Sequence, residues 1–188
     1  MKKNFLLLGA LLSISTLFAQ ELHISTPSNS LVLSAPIGGN LKYIYYGDKL
    51  SDTELPAISK VERASHSAYP VYGMRGDFEP ALAVKHSDGN MTLQMEIVSV
   101  NTQKEENANL TVVRMKDKIY PFFTDICYKA YQDVDVIEIW TEITHKEKKE
   151  VQLNQFASAY LPIRRGNVWI SHLYGSWANE GRLAQEAL

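Results

Sequence analysis

The sequence predicts a mainly β protein: an antiparallel β-sandwich (supersandwich) of many short strands with a short C-terminal helical tail. Three observations predict it. Short apolar segments recur at roughly ten-residue spacing with Gly, Pro, Asn or Asp between them, the rhythm of a sandwich or barrel. The chain holds 10 Tyr, 6 Phe and 3 Trp, residues that suit half-buried pleated surfaces. There is no alternation of strand and helix patterns from which a parallel sheet is built.

In chain order, residues 21–25 and 30–35 read as short strands around Pro27-Ser28-Asn29. Residues 41–46 form an aromatic strand closed by Gly47-Asp48. Residues 51–68 are polar and aperiodic, too long for an ordinary connection, and read as a functional or interface loop. Segments 80–86 and 91–100 flank Ser87-Asp88-Gly89-Asn90, and Asp-Gly between apolar alternations predicts a hairpin. Residues 109–115 form the next strand. Then 122–131 and 134–143 read as long strands joined near Gln132-Asp133. In the second, Val134 and Val136 share one face while Ile137, Ile139, Thr141 and Ile143 share the other. That phase slip predicts a β-bulge between Val136 and Ile137. The mixed charges of 145–150 make a solvated turn. Segments 151–161 and 168–173 complete the strands, and 179–188 carries the helical pattern.

The first residues are a separate unit. Lys2 and Lys3 precede an apolar run over 5–12, and small residues lead to Ala19. This is the pattern of a secretory signal cleaved near Ala19-Gln20, placing the mature chain in the periplasm or outside the cell. The run is too short for a membrane span. The expected organisation is therefore a signal peptide at 1–19, a sandwich at 20–178, and a segment at 179–188 that begins a linker towards another domain.

Charge and composition exclude several classes. A net charge of −2 gives no cluster of cations to neutralise phosphates, so nucleic acid is not a partner. The lone Cys127 lies in a strand-like run and reads as a small buried hydrophobe rather than a nucleophile. His23, His66, His86, His145 and His172 show no ligand spacing, so neither a metal nor another cofactor is implied. Asp133 and Asp135 share a strand face by their spacing, as do Glu138 and Glu142 in part. An ordinary hairpin turn with a solvated acidic face explains the first pair better than chemistry does. Tyr43, Tyr45 and Tyr46 break strict alternation, so one of them faces away from the core, as packing, a sugar platform or an oligomer contact.

Three ordered blocks carry a resemblance. The first is Tyr69-Pro-Val-Tyr-Gly-Met-Arg-Gly-Asp-Phe-Glu-Pro-Ala-Leu-Ala-Val with Asp88-Gly89 after it. The second runs from Asp125 to Glu142 through Tyr128, Asp133, Val134, Asp135 and Ile137. The third is Leu173-Tyr-Gly-Ser-Trp-Ala-Asn-Glu-Gly-Arg. Together they resemble the N-terminal β-sandwich domain of glycoside hydrolase family 36, the α-galactosidases, with Glu79 standing where that family usually has Arg.

The resemblance implies an accessory domain of an exported retaining α-galactosidase, an enzyme acting on terminal α-galactosides. Retention needs two carboxyl groups about 5–5.5 Å apart. In the family these lie on a (β/α)8 barrel, and no segment here matches it, so no catalytic residue is assigned and the chain is expected to be inactive alone. The partners implied are that barrel, α-galactoside sugars and, compatibly, a second copy. Asp77, Phe78 and Trp177 are the candidates for substrate binding or for an interdomain seam. The alternatives are a free-standing carbohydrate-binding module, marked by an exposed row of aromatics with polar neighbours, and a non-catalytic surface sandwich protein, which is disfavoured by the lack of internal repeats.

Overall fold

The computed structural model describes residues 21–61, 66–74, 79–162 and 168–187. Twelve strands and one helix follow in order: β1 (Glu21–Ser25), β2 (Asn29–Ser34), β3 (Lys42–Asp48), α1 (Leu55–Val61), β4 (His66–Ser67), β5 (Leu82–Lys85), β6 (Met95–Lys104), β7 (Ala108–Asp117), β8 (Phe122–Tyr131), β9 (Ile137–His145), β10 (Gln152–Phe156), β11 (Trp169–Ser176) and β12 (Asn179–Ala187). They form a four-stranded sheet β1-β2-β3-β4, a four-stranded sheet β6-β7-β8-β9, and two two-stranded ribbons, β10-β5 and β11-β12, with every strand pair antiparallel.

The alternation in sequence decides which residues meet. Leu22, Ile24, Leu31 and Leu33 point from the first sheet into a shared core. Ile97, Val113, Met115, Phe122, Ile126 and Tyr128 meet them from the second sheet, with Leu82 and Val84 of β5 between. Each such side chain contributes roughly 1.5–3 kcal/mol through burial. The first sheet is also covered on its far side. Val32 and Ile44 are buried there, and α1 packs against β3. The loop expected over 51–68 thus holds a helix and a short edge strand. A signal for the helix stood in the sequence: in Ser51-x-x-Glu54, the Ser51 amide and hydroxyl both donate to Glu54 Oε2, at 2.9 and 2.7 Å, in the manner of a capping box. Pro56 then follows in the first turn, where its missing N–H costs nothing.

Three local expectations need correction. The Ser87-Asp88-Gly89-Asn90 turn forms, with His86 N–H donating to Asn90 O at 2.8 Å, but its flanking strands do not pair. β5 pairs with β10 and β6 with β7, because residues 91–94 carry the chain from one layer to the other. The phase slip near Val136 is not a bulge. β9 begins at Ile137, and Val134 and Val136 lie exposed in the turn that precedes it. The C-terminal helical tail is a strand. Residues 179–187 pair along β11, with Leu173 opposite Leu183, and Gly181 holds φ +76°, which no right-handed helix accepts. The helix formers at 184–187 are overruled by cross-strand pairing.

Candidate functional site

Of the three residues singled out in the sequence, Asp77 and Phe78 lie outside the described residues, and Trp177 is placed. It sits at the tip of the β11-β12 hairpin, 93% exposed. Ser176 pairs with Asn179, so Trp177 and Ala178 are the two tip residues, and Ala178 takes φ +61°. A left-handed alanine carries strain of order 1 kcal/mol or more, and such strain gathers at functional positions. Just before the tip the register shifts between Tyr174 and Ser176. A Cβ on Gly175 would lie 2.7 Å from Asn179 O and from Glu180 Cα, so only glycine lets the two strands close there.

The hairpin has two different faces. By register, Trp169, Leu173 and Leu183 share one face with Ser171, Gln185 and Ala187, and that face carries no charge. The other presents Ile170, Tyr174 and Ala184 among His172, Arg182 and Glu186, with His172 Nε2 3.6 Å from Glu186 Oε1. Trp169, Leu173, Tyr174 and Leu183 are each more than half exposed. β11 and β12 pair only with each other. A two-stranded hairpin is marginal alone, and apolar surface on this scale marks an interaction site.

The acidic pairs noted in sequence are structural where their bonds are seen. Asp135 Oδ1 accepts Thr26 Oγ1–H at 2.8 Å and Ser28 N–H at 2.7 Å. These bonds hold its carboxyl below the usual range and pin the β8-β9 turn onto the β1-β2 turn. Glu138 accepts the Tyr131 hydroxyl and Glu142 the Trp140 indole N–H. Of the tyrosines on β3, Tyr46 is the one facing out, 49% exposed. Tyr45 donates to Asp48 O, and Tyr43 packs on the core. Cys127 is buried, and burial pushes its thiol up to about 11, so it is no nucleophile.

Sequence reasoning missed a cluster around His86. Its side chain is fully buried, its Nδ1 lies 2.7 Å from Glu147 Oε1, and its ring stacks on Tyr120 at 3.7 Å. Burial works against the charge of Glu147, but bonds from His86 and the Ser87 amide outweigh it and lower its pKa. Tyr120 in turn donates to Asp88 Oδ2 at 2.7 Å. The Asp-Gly turn was the legible part; the partners come from residues 32 to 61 positions away, with no signal in spacing. The cluster ties three loops together at one end of the sandwich. Among the described residues no group of three or more His, Cys, Asp or Glu is placed to hold a metal, and no helix is long and apolar enough to cross a membrane.

Two four-stranded antiparallel sheets that share one core and carry a projecting hairpin define the class of antiparallel β-sandwich domains. The model of the glycosyl hydrolase family 36 N-terminal domain matches residues 39–188, and the chain belongs to that family through this domain. It is 22% identical over 197 residues to the α-galactosidase Mel36A of Lactobacillus acidophilus, covering 87% of this chain and 27% of that protein. The fold superposes on the family 36 α-galactosidase AgaA of Geobacillus stearothermophilus with a TM-score of 0.76 at 18% identity, covering 90% of this chain and 28% of that one. An α-galactosidase from Lactobacillus brevis gives 0.74 at 21% identity, with 89% and 27% covered. The chain thus spans little more than a quarter of the length of these relatives.

Proposed function

We propose that this chain is a non-catalytic accessory domain of an exported α-galactosidase, and that it works by packing its β11-β12 hairpin against the catalytic barrel. The observation that carries the reading is the uncharged hairpin face of Trp169, Leu173 and Leu183, left open in a chain that belongs to the family by its N-terminal domain. Covering that face removes apolar surface from water at roughly 25 cal/mol per Å². Trp177, at the strained tip of the hairpin, forms the outer end of the seam. The sandwich supplies a rigid base, because the Asp135 and His86 clusters fasten its loops. Export rests on the Lys2-Lys3 and apolar-run pattern at the N-terminus.

The test is a chimera in which residues 20–188 replace the matching segment of the Lactobacillus acidophilus enzyme, assayed with a chromogenic α-galactoside beside the chain alone. The reading expects turnover by the chimera and none by the chain alone. Leu173→Lys with Leu183→Lys should remove most of the chimera's activity. Turnover by the isolated chain would overturn the non-catalytic assignment, and an active chimera unaffected by the double lysine variant would overturn the hairpin seam.

A further inference from the structure

The outer face of the β6-β7-β8-β9 sheet carries a second feature that docking does not use. By alternation, Phe123, Asp125, Cys127, Lys129 and Tyr131 of β8 point outward. The register partners of the first four on β9 are Thr144, Glu142, Trp140 and Glu138. On β7, Lys116, Arg114, Val112 and Leu110 continue the same rows. All these β8 positions are partly open except Cys127, which is 3% exposed. Its neighbours across the sheet are Trp140 on one side and Val112 on the other. An outward thiol buried between open neighbours needs a cover, and the large ring opposite it is that of Trp140.

The ring is held in place. Trp140 Nε1–H donates to Glu142 Oε1 at 3.0 Å. Arg114 grips Asp125 with two bonds, at 2.8 and 2.7 Å, in the next row. Lys129 and Glu138 flank the ring on the other side. Phe123 and Tyr131 lie about 13 Å away along the strand in either direction, four residues each way at about 3.3 Å per residue. Lysine ammonium groups stand over both of those rings, Lys146 over Phe123 and Lys129 over Tyr131, which leaves Trp140 as the central platform.

We infer that this face binds a neutral oligosaccharide, with one sugar ring stacked on Trp140 and its hydroxyls bonded to Asp125, Glu142 and Arg114. The charges choose the ligand class. On the three strands, Arg114, Lys116 and Lys129 balance Asp125, Glu138 and Glu142, so the face attracts neither an anionic nor a cationic polymer. Charged rows on both sides of the ring prevent a contiguous apolar patch of the kind that protein partners cover. A flat ring bordered by fixed acceptors and donors is what the apolar face and rim hydroxyls of a pyranose require. The platform does not rest on the proposed enzyme role; only the choice of galactoside over glucoside does.

The experiment titrates the 188-residue chain with stachyose and separately with maltotetraose, reading tryptophan fluorescence and heat, while a disulfide reagent follows the rate at which Cys127 reacts. Saturable binding is expected, weakened at least tenfold by Trp140→Ala, partly restored by Trp140→Phe, and unchanged by Trp177→Ala. Cys127 should react slowly in the native chain, more slowly with sugar bound, and quickly in Trp140→Ala. Binding of maltotetraose alone would keep the platform and contradict the galactoside reading. Absence of saturable binding by either sugar, or binding indifferent to Trp140→Ala, would overturn the inference. A far-ultraviolet circular dichroism spectrum and a cooperative melting transition like those of the native chain show that Trp140→Ala is folded; if they are lost, Trp140→Leu and Trp140→Phe carry the test instead.

Discussion

Asp135 and Thr26 are 109 residues apart in sequence and joined by a 2.8 Å hydrogen bond that locks the β8-β9 turn to the β1-β2 turn. The Ser28 amide shares the same carboxylate oxygen, so one aspartate fastens a corner of each sheet. Its folded pKa lies below the ordinary value of 3.8, through the Thr26 and Ser28 bonds. A depressed carboxylate contributes stability that is complete above the unfolded value and lost as pH falls through the folded one. The melting temperature should therefore fall, as the pH drops below about 4, by more in the native chain than in Asp135→Asn. Parallel acid curves for the two proteins would refute the clasp.

The His86 cluster predicts a larger effect from a smaller change. Glu147→Ala leaves the buried His86 Nδ1 without its partner and frees the Ser87 amide. An orphaned buried polar group costs roughly 1–3 kcal/mol. Urea unfolding should show a loss of unfolding free energy of that size, carried by a lower midpoint with an unchanged slope. Stability within about 0.5 kcal/mol of the native chain, the range of an ordinary surface substitution, would mean that the cluster is incidental.

The hairpin should make the isolated chain associate. Sedimentation velocity is expected to show concentration-dependent self-association that Leu173→Lys with Leu183→Lys removes. Trp177→Ala, at a tip 93% exposed, should leave the melting temperature almost unchanged. A monomer at all concentrations would argue that the arm's apolar side chains find cover within the chain.

Export predicts a mature N-terminus at or near Gln20. Mass spectrometry of material from the periplasm or medium should give the mass of the chain from that residue, and an intact Met1 there would contradict it.

The fold class was legible because alternation and turn residues act locally. Strand β8 ran where its pattern put it, and its inward residues Phe122, Ile126 and Tyr128 form the core. Two of the errors share a cause: pairing is decided by distant segments. The Asp-Gly turn carried a hairpin signal, but β5 found β10 some seventy residues later. The tail had helix formers, but β11 offered it a ladder, and Gly181 blocked the helix. Trp177 was visible as a candidate because it stood in a motif. The Trp140 platform was not, because it exists only where three strands align Val112, Cys127 and Trp140.

On the proposed function, the β11-β12 hairpin is the surface this domain gives to its catalytic partner. Hydrogen exchange measures this most directly. Amides of 169–187 should exchange within seconds to minutes in the isolated chain at concentrations low enough to keep it monomeric, since both edges of the ribbon are open. In the active chimera the same amides should be protected at least a hundredfold, while those of β6-β9 change little. Protection appearing on the sandwich sheets and not on the hairpin, or a hairpin equally protected in both proteins, would contradict it.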